Sequence, residues 1–249
     1  MPFTFAHPAL VIPLTRYTHR LSLTGLVMGS MAPDFEFILR MKVAENIGHT
    51  WPGFWLFDIP VAVLLSLVFH RYVRSALVRH LPGWYRARFN ALAPVDWLTY
   101  ARQHPLAVLV SVALGVLTHF FWDAFTHYDG AFVKQLPGLQ VDQCFLGQCL
   151  PGFLWMQILS SVVGLVVVQW LIGQLPARPT PTPATAVAYW RSLVLVAGLV
   201  LAVRVVAQPA YNRAWSLCFA GMGSVLYALL VVSVWPRSWQ PARPPEPGP

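Results

Sequence analysis

Five long apolar stretches limit this chain to a small number of folds. Each stretch is close to the roughly 20 residues that an α-helix needs to cross a bilayer. The stretches are residues 54–70, 106–125, 152–175, 190–207 and 215–235. Inside lipid the backbone must satisfy its own hydrogen bonds, and a helix does so within a single segment. We therefore predict an all-α, polytopic helical membrane protein with about five spanning helices.

The composition excludes an ordinary soluble domain. Only 10% of the residues are charged and 57% are hydrophobic, whereas soluble domains carry about 25% charged residues. The chain contains no long polar region in which a separate soluble domain would fold. We predict a membrane domain that carries the functional site over residues 1–175, two additional spanning helices over 176–235, and a disordered, proline-rich tail over 236–249.

Shorter apolar segments precede the first predicted span. Residues 9–14 and 21–32 are too short to cross a bilayer alone, so we expect short helices at the membrane interface. Pro33 follows the second segment, and proline can end one helix and occupy the first turn of another. The sequence therefore predicts a break at Pro33, with Asp34 in the first turn of the next helix.

The positive charge of the chain indicates lipid contact and membrane orientation. The formal net charge is +8, but the basic residues lie in short loops between apolar stretches. This pattern favours contact with anionic lipid headgroups over binding of nucleic acid. Residues 71–104 contain six arginines and one aspartate, which is typical of a cytoplasmic loop. That orientation places the N-terminus and the loop after residue 127 on the outer face of the membrane.

The three cysteines do not have the spacing of a zinc-binding motif. Cys144 and Cys149 lie close together in the loop that is predicted to face outward. The sequence leaves two alternatives for this pair. The two residues form a small disulfide if their compartment is oxidising, and otherwise they are free thiols.

The end of the second predicted span carries three side chains of the metal-ligand type. His119, Asp123 and His127 recur at every fourth position, and this interval places them on one face of a helix. Imidazole nitrogens and carboxylate oxygens are ligands that zinc, iron and manganese accept. Polar side chains are costly inside an apolar segment. The pattern therefore predicts either a metal site or a stripe of hydrogen-bonded polar groups.

Three further residues complete the candidate set. His7 lies near the start of the chain, Asp34 follows a proline, and His49 lies in a turn bounded by glycine and proline. The predicted metal ligands are His7, Asp34, His49, His119, Asp123 and His127. Within this set, Asp34, His49 and Asp123 are also the predicted catalytic residues. Four imidazoles and two carboxylates suit one ion, or two ions that share a carboxylate, with a position left for water.

Four motifs carry a resemblance to a known family. They are MPFTFAHPALVIPL, GSMAPDFEF, GHTWPGFWLFDIP and LTHFFWDAFTHYDGAFV, in this order within roughly residues 1 to 175. The chain resembles the bacterial membrane family called domain of unknown function 4184, which implies a place in the bacterial cytoplasmic membrane. In the style of its motifs it is similar to inner-membrane proteins regarded as metal-dependent hydrolases. It also resembles, more distantly, the zinc-dependent phospholipase C and P1 nuclease fold.

The distant resemblance implies a ligand set. Carried over to this sequence, the six candidate residues are the metal ligands. The chain departs from that fold in the short interval before His127, in having no counterpart of the N-terminal tryptophan ligand, and in having no later His-x-x-x-Glu motif. We therefore expect one or two divalent ions, with zinc first and manganese or iron as alternatives.

These patterns favour hydrolytic chemistry. The sequence contains no glycine-rich phosphate loop, no G-x-S-x-G elbow and no H-E-x-x-H motif. We expect a membrane-embedded, metal-dependent hydrolase of a phosphoester in a lipid or lipid-linked substrate, acting through a metal-bound hydroxide with its site on the outer face. The alternatives are a divalent-metal transporter or metal-binding regulator, and a non-catalytic membrane scaffold.

Overall fold

The structure is a computed structural model, in which residues 3–17, 20–43, 47–92 and 96–234 are described. Five helical segments are long and apolar enough to span a membrane: Trp51–His80, Pro105–Gln135, Gly152–Gln174, Ala186–Ala207 and Ala214–Val234. The predicted all-α polytopic architecture is therefore confirmed. The tail predicted over 236–249 lies outside the described residues.

The first half of the chain contains short elements and one interrupted span. Before the first span lie a 3₁₀ turn (Thr4–Ala6), α1 (Pro8–Val11), a 3₁₀ segment (Ile12–Tyr17) and α2 (Leu23–Arg40). The first span consists of α3 (Trp51–Gly53), α4 (Ile59–Val68) and α5 (Arg74–His80), joined by π-helical segments at Phe54–Asp58 and Phe69–Val73. It is followed by α6 (Gly83–Phe89), a 3₁₀ turn (Asn90–Leu92) and α7 (Trp97–Gln103).

The second half contains the remaining four spans. The second span begins with α8 (Pro105–Thr126), and α9 (Ala131–Gln135), α10 (Pro137–Gln140), β1 (Asp142–Phe145) and β2 (Gln148–Pro151) follow it. The last three spans are α11 (Gly152–Gln174), α12 (Ala186–Ala207) and α13 (Ala214–Val234), with a 3₁₀ turn at Pro209–Tyr211 between α12 and α13.

The predicted break at Pro33 is wrong. α2 runs from Leu23 to Arg40 with Pro33 inside it, so Asp34 lies in the body of a helix instead of its first turn. A proline at this position removes one backbone hydrogen bond and crowds the preceding turn. Residues 29–36 are all buried, and this packing offsets the local cost.

The chain divides into two compact units. The first contains Met1–Glu36, Asn46–Ser66 and Thr99–Gln174, and the second contains Phe37–Glu45, Leu67–Leu98 and Leu175–Pro249. All six candidate metal ligands belong to the first unit. The division at residue 175 that we drew from the sequence stays a prediction.

Within the first unit, α2 and α8 cross in close contact. A Cβ atom at Gly29 would clash with the backbone of Val112, and one at Gly115 would clash with the backbone of Leu26 and Ser30. Only glycine lets two helix backbones approach this closely. The crossing therefore brings the second half of α2 next to the last turns of α8.

The short hairpin formed by β1 and β2 contains Cys144 and Cys149. β1 and β2 are antiparallel, and Cys144 is the direct partner of Cys149 in their register. The two residues form a disulfide. Of the two alternatives left by the sequence, the structure contains the bridged one.

Candidate metal centre

The last turns of α8 present three ligand-type side chains on one face. His119 is fully buried, Asp123 is nearly buried, and His127 lies at the helix end with its side chain 25% exposed. The Nε2 atom of His119 lies 3.2 Å from Oδ2 of Asp123, and Nδ1 of His127 lies 3.6 Å from the same oxygen. Asp123 therefore stands between the two histidines of its own helix.

The backbone of α2 fixes the orientation of His119. Its Nδ1 atom lies 2.8 Å from the carbonyl oxygen of Ser30, and because a carbonyl oxygen only accepts, Nδ1 must carry the proton. In the neutral imidazole, Nε2 then presents its lone pair to the cluster. Histidines that bind metals are commonly oriented in this way, with the second nitrogen donating to a carbonyl or carboxylate.

Asp34 enters the cluster from α2. It is fully buried, and its Oδ2 atom accepts a hydrogen bond of 2.6 Å from the hydroxyl of Thr4. Oδ1 is the oxygen directed at the histidines, 3.6 Å from Nε2 of His49 and 3.8 Å from Nε2 of His119. Thr4 thus holds one oxygen and leaves the other for the cluster.

His49 is held by a tight turn between α2 and the first span. The backbone N–H groups of Ile47 and Gly48 both donate to Oε2 of Glu36, at 2.7 Å each. Thr50 closes the turn, because its hydroxyl accepts from Gly53 N at 3.0 Å. As a result, Nε2 of His49 lies 3.4 Å from Oδ2 of Asp123 and 3.3 Å from Nε2 of His119.

His7 completes the cluster from the N-terminal segment. Phe3 N donates to Ser161 Oγ on α11 at 2.9 Å, which ties this segment to the helices of the first unit. The ring of His7 stacks on the ring of His119 with centroids 3.9 Å apart. Its Nε2 atom lies 3.9 Å from Oδ1 of Asp123.

The distances within the cluster fit the coordination sphere of a small divalent ion. Ligands at zinc bond lengths in a tetrahedron lie about 3.3 Å from one another, and the nitrogen and oxygen atoms named above lie 3.2–3.9 Å apart. Among the described residues, two groups of three have ligand atoms within 4.8 Å of one another: His7 with His119 and Asp123, and Asp34 with His49 and His119. Both groups contain His119, whose Nε2 can bind only one ion, so the cluster suits one ion, or two adjacent ions bridged by a carboxylate.

Several atoms of the cluster have no hydrogen-bond partner among the described residues. They are both ring nitrogens of His7, Oδ1 of Asp34 and both carboxylate oxygens of Asp123. Buried polar atoms are nearly always paired, because an unpaired one costs about 1–3 kcal/mol. A cation among these atoms would satisfy the carboxylate oxygens and the Nε2 atom of His7, which faces the cluster.

The charges of the cluster also favour a cation. Burial lowers the pKa of His49, but its contacts with Asp123 and Asp34 raise the pKa by more than burial lowers it, so that the pKa is about 10. Burial and the neighbouring His119 lower the pKa of His7 to about 3, so this imidazole is neutral and able to bind a metal. Burial raises the pKa of Asp34, but the surrounding histidines, His119 first, bring it below its usual value. Without a metal, the proton on His49 thus balances part of the carboxylate charge.

Two residues lie at the edge of the cluster. Nδ1 of His127 donates to the backbone oxygen of Asp123 at 3.2 Å, and His127 is not in either tight group of ligands. Asp58 in the first span is fully buried, and its carboxylate oxygens have no hydrogen-bond partner among the described residues. It lies beside the turn of His49, since a Cβ at Gly48 would stand 3.0 Å from its Oδ1.

Sequence analysis missed two residues that support the cluster. Thr4 is far from Asp34 in the chain, and nothing in the local sequence signals their contact. Glu36 offered a weak signal, because it is one of only nine acidic residues, but its burial is visible only in the structure. Gly25 and Gly29 form a G-x-x-x-G pattern, which is typical of close helix contacts in membranes and predicts the crossing of α2.

Comparison with known proteins identifies a family but no activity. No curated protein and no solved structure matches the chain. The family model described as domain of unknown function (DUF4184) matches residues 1–234. This range includes all six residues of the cluster and extends well beyond the four motifs that first indicated the resemblance. The chain belongs to the DUF4184 family.

Proposed function

We propose that this protein is a membrane-embedded, metal-dependent hydrolase that acts on a phosphoester in a lipid or lipid-linked substrate. The observation that carries the proposal is the buried cluster of imidazoles and carboxylates, drawn from separate segments with their ligand-type nitrogen and oxygen atoms 3.2–3.9 Å apart. Hydrolysis accounts for this donor set without any nucleotide-binding or serine-nucleophile motif.

The donor types indicate which ions the cluster would hold. Mixed nitrogen and carboxylate ligands suit zinc first, with manganese and iron as alternatives. Asp34 and Asp123 would supply the negative charge, and His7, His49 and His119 would supply neutral nitrogens. When bound, such an ion lowers the pKa of its water and polarises a phosphoryl oxygen.

Neighbouring side chains would position the proton on His49. Nε2 of His49 lies between the carboxylates of Asp34 and Asp123, at 3.6 and 3.4 Å. In the metal-free protein a proton at this nitrogen can therefore pass to either carboxylate after a small movement, and an ion that binds at this nitrogen would displace it. Asp34, His49 and Asp123 remain the proposed catalytic residues.

The surroundings of the cluster support a substrate in the lipid. Trp51, Trp55 and Tyr128 are 68%, 66% and 77% exposed and are near His49 or His127 in the sequence. Exposed tryptophan and tyrosine at the ends of spans mark the depth of lipid headgroups. Phosphate groups of lipids lie at this depth, so the proposed substrate would reach the site from the bilayer.

The hairpin supports a site on the outer face of the membrane. Disulfides persist in oxidising compartments and are rare in the cytoplasm. The Cys144–Cys149 disulfide lies in the loop that follows the spanning segment carrying His119 and Asp123. This location agrees with the orientation inferred from the basic loop at residues 71–104.

The test measures bound metal and phosphate release in the same preparation. The wild-type protein, gently extracted and placed in lipid nanodiscs, is analysed for metal and is then given phosphatidic acid or a polyprenyl phosphate. We expect stoichiometric metal and release of inorganic phosphate, and loss of both in the double variant His119→Ala/Asp123→Ala. Stoichiometric metal without turnover of either substrate would show that the protein binds metal, and it would contradict the proposed hydrolase activity. Turnover in the double variant would contradict the proposal altogether.

Metal flux separates the hydrolase from the transporter alternative. Transporters place ligands near the bilayer midplane on interrupted helices. We expect proteoliposomes of the wild-type protein to release phosphate without moving Zn²⁺ or Mn²⁺ across the membrane. Flux that depends on His119 and Asp123 would support transport instead.

A further inference from the structure

The second unit contains a cavity with an unusually basic lining. Its volume is about 630 Å³, which lies within the range of small-molecule sites. Arg74, Arg79, Arg86 and His70 line it together with hydroxyl and amide side chains, and none of the described residues that line it is an aspartate or a glutamate. None of the candidate metal ligands belongs to it, so it is a feature separate from the metal centre.

Arg86 shows that positive charge is built into the wall of this cavity. Arg86 is 4% exposed, and its Nη1 donates to the carbonyl oxygen of Leu81 at 2.8 Å. Its Nη2 donates to Thr180 O and to Thr182 Oγ1, both at 3.0 Å. Every one of these acceptors is neutral. The contacts therefore fix the guanidinium in place without cancelling its charge.

The same contacts hold the proline-rich strap over residues 180–183 against α6 and its following turn. Asn90 Nδ2 donates to Thr180 Oγ1 at 3.0 Å, and Arg178 N donates to Ala87 O at 2.8 Å. Pro181 and Pro183 also line the cavity. The strap is thereby fixed at several points, and the cavity has walls of defined shape.

Arg74 and Arg79 add charge from the neighbouring helix. Both belong to α5 and line the cavity, and Nη2 of Arg74 donates to the carbonyl oxygen of Leu92 at 2.6 Å. The two segments that form the cavity, 67–98 and 175–183, contain six arginines and one aspartate. Their net charge of about +5 makes the region strongly attractive to anions.

We propose that this cavity binds a phosphate-bearing anion. Guanidinium groups match the geometry of phosphate oxygens through paired N–H donors, and the hydroxyls of Ser75 and Thr182 and the amide of Asn90 supply neutral donors at the same wall. A volume of about 630 Å³ accommodates a phosphate with an attached group. The phosphate belongs either to the headgroup of an anionic lipid or to a free phosphate compound, and the experiment distinguishes the two.

The test compares two phosphate compounds, phosphatidic acid and glycerol phosphate, in the wild-type protein and in matched arginine variants. Thermal stability is measured in nanodiscs of phosphatidylcholine, with and without phosphatidic acid, and with and without added glycerol phosphate. A ligand that binds the folded state raises the melting temperature. We expect a rise with at least one phosphate compound, and we expect the double variant Arg74→Gln/Arg79→Gln to bind that compound at least tenfold more weakly. The single variant Arg79→Gln is measured as well, in case the double variant does not fold.

Arg88→Gln is the matched control. Arg88 belongs to the same basic loop but does not line the cavity, and its guanidinium lies 3.8 Å from the centre of the Trp84 ring. The control variant loses one positive charge and should keep the wild-type response. Equal weakening in Arg88→Gln and Arg79→Gln would show diffuse attraction to a basic surface and would overturn the proposal. An unchanged response in the cavity variants, or no response of the wild type to either compound, would also overturn it.

Discussion

Two buried histidines, one in each unit, have opposite surroundings. His80 in the second unit places Nδ1 2.7 Å from the carbonyl oxygen of Ala76 and Nε2 2.9 Å from the hydroxyl of Thr185. His119 in the first unit donates from Nδ1 to Ser30 O, but its Nε2 faces a second imidazole nitrogen at 3.3 Å and a carboxylate oxygen at 3.2 Å. His80 is therefore satisfied by the protein alone, whereas His119 faces nitrogen and oxygen atoms that the proposed cation would hold together.

The buried charged side chains of the two units also differ in whether the protein supplies their hydrogen-bond partners. Arg204 in the second unit is 4% exposed and donates to Met41 O at 2.8 Å and to Tyr211 O at 3.1 Å. Asp123 in the first unit accepts no hydrogen bond at its carboxylate from any described residue. A buried polar group with all its partners present stabilises the fold. A buried carboxylate that is surrounded by imidazoles and accepts no hydrogen bond from the described residues indicates a binding site.

The largest effect should come from making the same substitution at each of the two histidines in turn. His119→Gln removes a nitrogen shared by both ligand groups, so we expect complete loss of bound metal. His80→Gln should lower the melting temperature and leave the metal content unchanged. Elemental analysis of both purified variants checks this prediction. Equal metal content in the two variants would show that His119 and His80 do not differ in their role in metal binding.

A smaller effect is expected from a residue that does not touch the metal. Thr4→Val removes the hydroxyl that donates to Oδ2 of Asp34 while keeping the shape of the side chain. Loss of such a supporting contact typically weakens metal binding about 10–100-fold. Thr4→Ser keeps the hydroxyl and should bind metal as the wild type does. Titration with a chelating dye measures the affinities, and equal values for Thr4→Val and Thr4→Ser would contradict the role of Thr4.

The affinity for metal should also depend on pH. The pKa of His49 in the metal-free protein is about 10, so near neutral pH this residue carries a proton that the ion must displace. Raising the pH removes the competing proton. We therefore expect the affinity to rise about tenfold for each pH unit near neutrality and to fall as the pH is lowered. His7 adds nothing in this range, because its pKa is about 3.

The dye titration that measures this dependence is repeated with His49→Gln. This variant should bind more weakly and with a smaller slope against pH, since it has lost the titrating nitrogen. A wild-type affinity that does not change with pH would show that no proton is displaced from the cluster.

The smallest effect on the metal centre is expected from the hairpin. Cys144→Ser/Cys149→Ser opens a short loop whose ends are also joined by strand pairing. The chain-entropy model gives an upper limit of about 2 kcal/mol for a loop of this length. We expect a lower melting temperature and unchanged metal content. Loss of metal in this variant would show that the hairpin supports the cluster.

Local sequence predicted the parts of this protein that depend on local properties. The five spans follow from runs of apolar residues, since a helix in lipid satisfies its backbone within one segment. The shared face of His119, Asp123 and His127 follows from the helical period alone. The break at Pro33 failed because the rule for proline is local, whereas burial of residues 29–36 is a property of the packed unit.

The sequence by itself determined the membrane class and the number of spans, and it supplied the six candidate metal ligands. Only the tertiary structure decided that His7, Asp34 and His49 meet His119. That meeting depends on the close crossing at Gly29 and Gly115 and on the hydrogen bonds from Thr4 and to Glu36. These segments are distant in the chain and meet only through tertiary packing. Tertiary packing cannot be predicted from the local pattern of one sequence.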